Sequence, residues 1–191
     1  MQPTLTWFLT WTTYGTWLPG DERGFVSTVT DFRPGEDDAH RVRHATPGTS
    51  YDRDAAGLRE SARKLMTAEP VWLTGPQAAA ASRQFRDTAR HREWHLHASA
   101  VMANHAHLVV TAPGAVRGES LLRDFKSYAS RALNVTWPRA TTWWTESGSR
   151  RPLPTEDAVA RTVRYVLDQP APLALDPDPT TDTPERGASA P

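Results

Sequence analysis

Two histidines two residues apart, His105 and His107, are the side chains of this chain whose types and spacing most directly indicate chemistry. They follow Asn104 at a tight turn and open an apolar run that predicts a buried strand. Side chains alternate across a strand, so both imidazoles would project from one face. Imidazoles about 6 to 7 Å apart can supply two ligands to one divalent ion when a third comes from elsewhere. This geometry suits metal-assisted phosphodiester chemistry.

A nucleophile is the second requirement, and tyrosine is the natural candidate because the chain has no cysteine and no serine in a recognisable nucleophile setting. Tyr128 falls on the apolar stripe of its predicted helix, where a core role is expected. Tyr165 instead lies at the edge of the buried face of the last predicted helix, with Gln169 four residues later on the same side. These two residues could provide a nucleophile and a third metal ligand together.

The charge of the chain is unevenly distributed, although the formal net charge is zero. Residues 117–151 hold seven basic and three acidic residues, whereas the segment from Asp168 onward holds five acidic residues and one arginine. A basic body is what a phosphate-bearing partner requires. The candidate DNA-binding residues are Arg117, Arg123, Lys126, Arg131, Arg150 and Arg151. Arginine pairs bidentately with phosphate and stacks on bases, although a GC-rich coding bias would also explain an arginine excess.

The composition limits the kind of protein that carries these residues. A chain of 191 residues, 38% of them hydrophobic, is long enough for one domain with a proper core. The absence of cysteine removes disulfides and thiolate zinc sites and leaves histidine, carboxylate and amide ligands. There is neither a signal-peptide pattern nor a long apolar run, so a cytoplasmic protein is expected.

The order of predicted elements indicates an α+β fold, close to a ferredoxin-like (split βαβ) antiparallel sheet with helices. Strands are predicted over residues 5–13, 94–102, 105–111 and 141–145, and helices over 75–91, 119–134 and from Thr155 to Pro170. A long insertion, about residues 20–72, follows the first strand. The predicted catalytic domain is therefore 1–170, followed by a disordered Pro/Asp/Thr-rich tail over 171–191.

The two central strands are separated by only Ala103 and Asn104, which is hairpin spacing. A two-residue turn pairs Ala100 with His107, so the two site histidines would stand beside small side chains that leave room for an ion. The competing pair, His95 and His97, would then lie on the opposite face.

In these residues and their order the chain resembles the single-tyrosine HUH transposases of bacterial insertion sequences, including the REP-associated tyrosine transposases. The family's histidine-hydrophobic-histidine signature, usually preceded by Met-x-Asn, is similar to residues 102–107, and its tyrosine with an amide four positions on is similar to Tyr165 and Gln169. The loop over residues 12–21 and the segment 143–149 also resemble one subgroup. The resemblance covers about residues 5–170, whereas the insertion and the acidic tail depart from it.

This resemblance implies a metal-dependent transposase that cleaves and rejoins single-stranded DNA at hairpin-flanked sites through a 5′-phosphotyrosine intermediate. His105, His107 and Gln169 would hold Mg²⁺ or Mn²⁺, and Tyr165 would attack phosphorus. The implied partners are single-stranded DNA with hairpins, such as REP-like or insertion-sequence ends, and a possible second copy of the chain in a homodimer.

Two other classes of function stay open from the sequence. A domesticated protein that binds DNA hairpins without cutting them would keep the basic body and would tolerate changes at the site residues. A metal-dependent nuclease that uses water would need the histidines but not Tyr165. A histidine pair on a strand is, by itself, more often structural than metal-binding, and Tyr165 without Gln169 would be an ordinary half-buried helix tyrosine.

Overall fold

The computed structural model describes residues 3–24, 30–32, 41–43, 49, 51 and 53–177. Along the chain it contains seven strands and four helices within these residues: β1 (Thr4–Thr12), β2 (Thr30–Phe32), β3 (Arg41–Arg43), α1 (Ala56–Lys64), α2 (Gly75–His91), β4 (His95–Val101), β5 (His105–Pro113), α3 (Gly118–Thr136), β6 (Ser149–Leu153), α4 (Glu156–Leu167) and β7 (Ala174–Pro177). Residues 25–29, 33–40, 44–48, 50 and 52 of the predicted insertion and residues 178–191 of the predicted tail lie outside the described residues.

A five-stranded antiparallel sheet in the order β6-β1-β5-β4-β7 is the framework of the fold, and the α+β prediction is confirmed. The first four strands of this order are connected through α2 and α3, which is compatible with the ferredoxin-like plan. The predicted hairpin register is confirmed at its turn end, where Ala100 pairs with His107. A backbone hydrogen bond from Met102 N to His105 O closes the turn.

Helices cover both faces of this sheet. On one face α2 packs against α3, and Phe85 meets Phe125 edge to face at 6.0 Å between ring centroids. On the other face α4 lies over a buried apolar cluster of Ala98, Ala100, Met102, Val109, Leu153 and Val166. The sheet therefore separates a two-helix layer from the single helix that carries Tyr165.

Helices α2 and α4 begin where the sequence predicts, because capping residues precede both. Thr74 and Gln77 form a capping box ahead of α2, with proline in its first turn. Thr155 Oγ1 accepts a hydrogen bond from the backbone N–H of Ala158 at the start of α4. At the start of α3, a Cβ on Gly118 would lie 2.9 Å from the Trp7 ring, so only glycine fits this approach.

The chain divides into two compact units. The first comprises residues 1–10, 73–138 and 148–191, and the second comprises 11–72 and 139–147. In the second unit the buried rings of Trp11 and Trp144 meet edge to face at 6.0 Å. His105, His107, Tyr165 and Gln169 all lie within the first unit.

Two predicted segments differ from the structure. Residues 141–145 do not form a strand; they make a single bridge, from Thr13 to Trp144, and the strand lies later, at β6. Residues 174–177, predicted to belong to a disordered tail, form β7, which pairs with the edge of β4. Asp176 of β7 is buried and accepts two hydrogen bonds from the Arg86 guanidinium, at 2.8 and 2.6 Å, which hold this strand against α2.

None of the described helices combines the length and the apolar character that a membrane crossing requires.

Candidate active site

His105 and His107 lie together at the start of β5, as the alternation of the strand predicts. Their ring centroids are 4.9 Å apart and their planes are nearly perpendicular. His107 is only 6% exposed, whereas His105 is half-buried. The sheet therefore presents two adjacent imidazoles at one end of a rigid central strand.

Each imidazole has one ring nitrogen engaged by a neighbouring side chain. Nδ1 of His105 lies 2.7 Å from Oδ1 of Asn104. Because an amide oxygen only accepts, this Nδ1 carries the proton and the lone pair of the ring lies on Nε2. Nδ1 of His107 lies 2.8 Å from Oγ1 of Thr10 on β1, a hydroxyl that can accept the same kind of N–H. Such outer contacts fix the tautomer and the ring orientation of metal-binding histidines.

Burial and the neighbouring His105 lower the pKa of His107 to about 4, burial being the larger cause. The ring is therefore neutral at physiological pH. A neutral imidazole can bind a metal ion without first losing a proton.

The lowered pKa of His107 predicts how the stability of the metal-free protein depends on pH. Between about pH 6.5 and pH 4 the unfolded chain binds the proton and the folded chain does not, so acid favours unfolding. The free energy of unfolding should fall by about 2 to 4 kcal/mol across this interval from this group alone. Urea denaturation at a series of pH values measures it. In a His107→Gln variant this part of the slope should disappear; an unchanged slope would contradict the assignment.

Tyr165 lies beside the histidine pair. Its ring centroid is 5.7 Å from that of His107, and its side chain is 52% exposed. Phe8 completes the cluster: it stacks on His107 at 5.4 Å and meets Tyr165 edge to face at 6.0 Å. The tyrosine is thus held by ring contacts on one side while about half of the residue is exposed to solvent.

Gln169 follows α4 by two residues, and its amide Nε2–H donates to the backbone carbonyl of Tyr165 at 3.0 Å. The amide therefore closes the end of the helix that carries the tyrosine. Its oxygen makes no hydrogen bond among the residues that the structure describes. Within the same residues, no three His, Cys, Asp or Glu side chains cluster closely enough to hold a metal ion. Imidazole nitrogens and an amide oxygen, the donor types of His105, His107 and Gln169, suit a divalent ion that also takes phosphate oxygens.

The prediction that His95 and His97 lie on the opposite face is wrong. A β-bulge between Leu96 and Ala98 shifts the register, so that His95 pairs with Thr111. His97 Nε2 lies 2.7 Å from Oγ1 of Thr111, and the His95 and His97 rings are 4.3 Å apart. His97 also lines a cleft beside α4, on the face of the sheet that carries the site.

The predicted DNA-binding residues do not form one patch. Arg150 pairs with Glu119 of α3 at 3.0 Å, and Arg123 pairs with Asp124 within α3. The Arg131 guanidinium lies 5.2 Å from the centroid of the Tyr128 ring. Only Arg151, whose guanidinium lies 5.3 Å from the Phe8 centroid, contacts the ring cluster of the site. Arg117 stands at the N-cap of α3 and Lys126 lies in the middle of that helix.

Tyr128 is half-buried rather than part of the core, because the guanidinium groups of Arg92 and Arg131 flank its ring at 5.9 and 5.2 Å. Exposed aromatic rings can stack on unpaired bases. Trp143 and Trp144 are buried and cannot do so, whereas Trp17 is 38% exposed.

Thr10 is a residue of the site that the sequence did not single out, and its replacement tests the role of its hydrogen bond. We expect Thr10→Val to raise the dissociation constant for Mn²⁺ about 10- to 100-fold, because the ring of His107 loses the contact that orients it. Electron paramagnetic resonance of the free ion measures this constant. Thr10→Ser keeps the hydroxyl and should bind like the original chain. Equal affinity of the valine variant would show that this contact does not support a metal site.

Comparison with known proteins finds one family that matches a segment of the chain. Residues 68–152 match the family described as IS200-like transposase, which confirms the resemblance. This segment includes His105 and His107 but not Tyr165 or Gln169. No curated protein matches the chain.

Two solved structures are similar. One, a REP-associated tyrosine transposase bound to a REP hairpin, has 14% identity and a TM-score of 0.45, covering 87% of this chain and 67% of that chain. The other, a putative transposase from Deinococcus radiodurans R1, has 15% identity and a TM-score of 0.43, covering 88% and 93%.

Proposed function

We propose, from the IS200-like transposase match of residues 68–152, that this chain is a metal-dependent transposase acting on single-stranded DNA. It would cleave and rejoin DNA at hairpin-flanked sites through a 5′-phosphotyrosine intermediate. The observation that carries the proposal is the half-exposed Tyr165 ring 5.7 Å from the ring of His107, in a pair of imidazoles whose Nδ1 atoms are both engaged. Formation of a phosphotyrosine needs a tyrosine hydroxyl close to a metal ion that binds the phosphate.

His105 and His107 would hold Mg²⁺ or Mn²⁺ through Nε2, with the amide oxygen of Gln169 as the third protein ligand. When bound, such an ion withdraws charge from the phosphate oxygens and stabilises the leaving oxygen. Asn104 and Thr10 orient the two rings, and Gln169 is tied to the backbone of Tyr165 itself. The C-terminal end of α4 would therefore position both the metal ligand Gln169 and the nucleophile Tyr165.

Tyr165 would attack the phosphorus atom through its phenolic oxygen, forming a phosphotyrosine bond as the bond from phosphorus to the 3′ oxygen breaks. The phenolic proton leaves to solvent, which the exposure of the side chain permits, and the departing 3′ oxygen takes up a proton. Because one phosphoester replaces another, a second 3′-OH can reverse the step and join strands without an energy-rich cofactor.

The DNA is proposed to bind through phosphate contacts, with specificity from the shape of a hairpin and from its unpaired bases; the proposed phosphate-binding residues are Arg117, Arg123, Lys126, Arg131, Arg150 and Arg151. Arg117, Arg123, Lys126 and Arg131 lie on or at the start of α3, across the sheet from Tyr165. They are separated from Arg151 by the sheet, so one DNA ligand that contacts both sets has to reach around the edge strand β6.

A covalent adduct tests the proposal. The protein is incubated with Mn²⁺ or Mg²⁺ and a pool of single-stranded oligonucleotides, each with a hairpin between randomised unpaired flanks, and is then run on a denaturing gel. We expect a shifted, nuclease-sensitive band that requires the ion, with mass spectrometry placing the modification on Tyr165. Cleavage without an adduct would favour the water-using nuclease, and binding without cleavage would favour a hairpin-binding protein.

A further inference from the structure

Arg151 is the one residue of the predicted DNA-binding set that faces the Tyr165 site. It lies directly across from Phe8 in the antiparallel pairing of β6 with β1, and cross-strand partners share a face of the sheet. Its guanidinium carbon is 5.3 Å from the centroid of the Phe8 ring. That ring in turn contacts both His107 and Tyr165. One aromatic side chain therefore lies between this cation and the reacting group.

The charge of Arg151 is not neutralised within the part of the chain that the structure describes. No carboxylate there pairs with it, whereas its neighbour Arg150, on the opposite face, is paired with Glu119. Arg151 is exposed on an edge strand, so an anion can reach it without displacing any of the described carboxylates. The ring beneath it limits the freedom of the side chain, which lowers the entropy lost when the guanidinium binds.

We propose that Arg151 binds a phosphate of the DNA strand that Tyr165 cleaves, at the scissile phosphate or at one directly next to it. This inference rests on the proposed function. A guanidinium donates two parallel hydrogen bonds to a phosphate and retains its charge at every accessible pH. At this place it offsets the negative charge of the strand beside the phenolic oxygen and sets the path of the strand across the edge of β6. Arg150 is not expected to bind this phosphate, because its side chain lies on the opposite face of the sheet and pairs with Glu119.

Cleavage kinetics with charge-deleted DNA test this role. We expect Arg151→Gln to lower kcat/KM about 10- to 100-fold. Arg151→Lys should recover part of the loss, because lysine restores the charge but cannot donate two parallel hydrogen bonds to one phosphate. A neutral methylphosphonate is then placed in turn at the scissile phosphate and at the phosphates on either side. At one of these three positions the penalty of Arg151→Gln should shrink to about 2-fold or less, as expected when both partners of one contact are removed. A merely structural role would leave the penalty equal at all three.

Arg83→Gln is the matched control, since it removes the same charge from the exposed surface of α2, on the other face of the sheet. Its kcat should stay as in the original chain, and its response should not depend on the methylphosphonate position. Equal kinetics of the Arg151→Gln and Arg83→Gln variants, with an adduct still formed by the original chain, would overturn the inference and leave the proposed function standing.

A binding measurement distinguishes failure of the Arg151–phosphate contact from failure of the proposed cleavage chemistry. Fluorescence anisotropy with a labelled oligo-dT of twenty nucleotides follows affinity against salt in the absence of metal. The slope of log affinity against log salt should fall by about 0.7 in Arg151→Gln, the value for one lost contact with a single strand, and should be unchanged in Arg83→Gln. If the original chain forms no adduct but this slope difference appears, the proposed chemistry fails and the phosphate contact holds. An unchanged slope in both variants counts against the contact.

Discussion

Replacing Tyr165 with phenylalanine is expected to abolish both DNA cleavage and the covalent adduct, with a loss of at least about 10⁴-fold in rate. The change removes one oxygen atom and leaves the ring that packs against His107 and Phe8. The two imidazoles keep their hydrogen bonds to Asn104 and Thr10, so Mn²⁺ affinity should persist. Affinity for a hairpin oligonucleotide should also persist, because no charge is lost. Gel analysis of adduct and product, with anisotropy for binding, measures all three quantities.

Tyr128→Phe is the matched control for this substitution. Tyr128 is also a half-buried helix tyrosine, but it lies on α3 between two guanidinium groups and away from the histidines. Its ring supplies those contacts and remains in the phenylalanine variant, so cleavage should be nearly unchanged. If the Tyr165 variant cuts and the Tyr128 variant does not, the nucleophile is misassigned. If both cut, water is the nucleophile and the site is that of a nuclease.

The sequence predicts the side-by-side arrangement of His105 and His107 correctly, because local rules determine it. A two-residue turn fixes the register near itself, and the small residues Ala98 and Ala100 stand beside the site strand as expected. The placement of Tyr165 at the edge of the buried face of α4 also follows from helical periodicity alone, since Val166 is buried and Tyr165 is half exposed. Each of these inferences spans only a few residues along the chain.

The alternation of faces that the two-residue turn fixes no longer holds at His97, seven residues before Asn104 of that turn. One bulged residue reverses the face of everything beyond it, and no glycine or proline in the strand marks the position. The bulge is accompanied by a contact of His97 with Thr111, whose hydroxyl in turn lies 2.6 Å from that of Thr6 on β1. These polar contacts join three strands, β4, β5 and β1, so the residue pattern within one strand cannot predict them.

Thr10 and Phe8 were missed for the same reason, and Arg151 was predicted only as one of six DNA-binding residues, with no link to the site. Thr10, Phe8 and Arg151 approach the site only because β1 lies between β5 and β6 in the sheet. Residues 141–145, rich in tryptophan and threonine, have strand composition but pair only through the bridge at Trp144. By contrast, β7 contains Asp and Pro and reads as loop; its pairing with β4 and the ion pair to Arg86 order it instead.

The position of His97 on the site face makes the identity of the metal ligands a question that substitution can decide. We expect His105→Ala to reduce metal-dependent cleavage by at least about 10³-fold, since the phosphate loses the charge neutralisation that two ring nitrogens together support. Addition of millimolar Mn²⁺ should not restore the rate, because a single remaining imidazole and an amide bind the ion weakly. Hairpin affinity should be retained. The rate is measured across a titration of Mn²⁺.

Two histidine variants serve as comparisons in that titration. His91 is exposed in the last turn of α2, and His91→Ala should cleave with the original metal requirement. His97 is held by Thr111 and lines the cleft beside α4, so His97→Ala should change stability more than metal requirement. If His97→Ala raises the metal requirement and His105→Ala does not, the ion is held by the bulged part of β4. The pair at the start of β5 would then be structural, and Asn104 and Thr10 would orient rings that bind no metal.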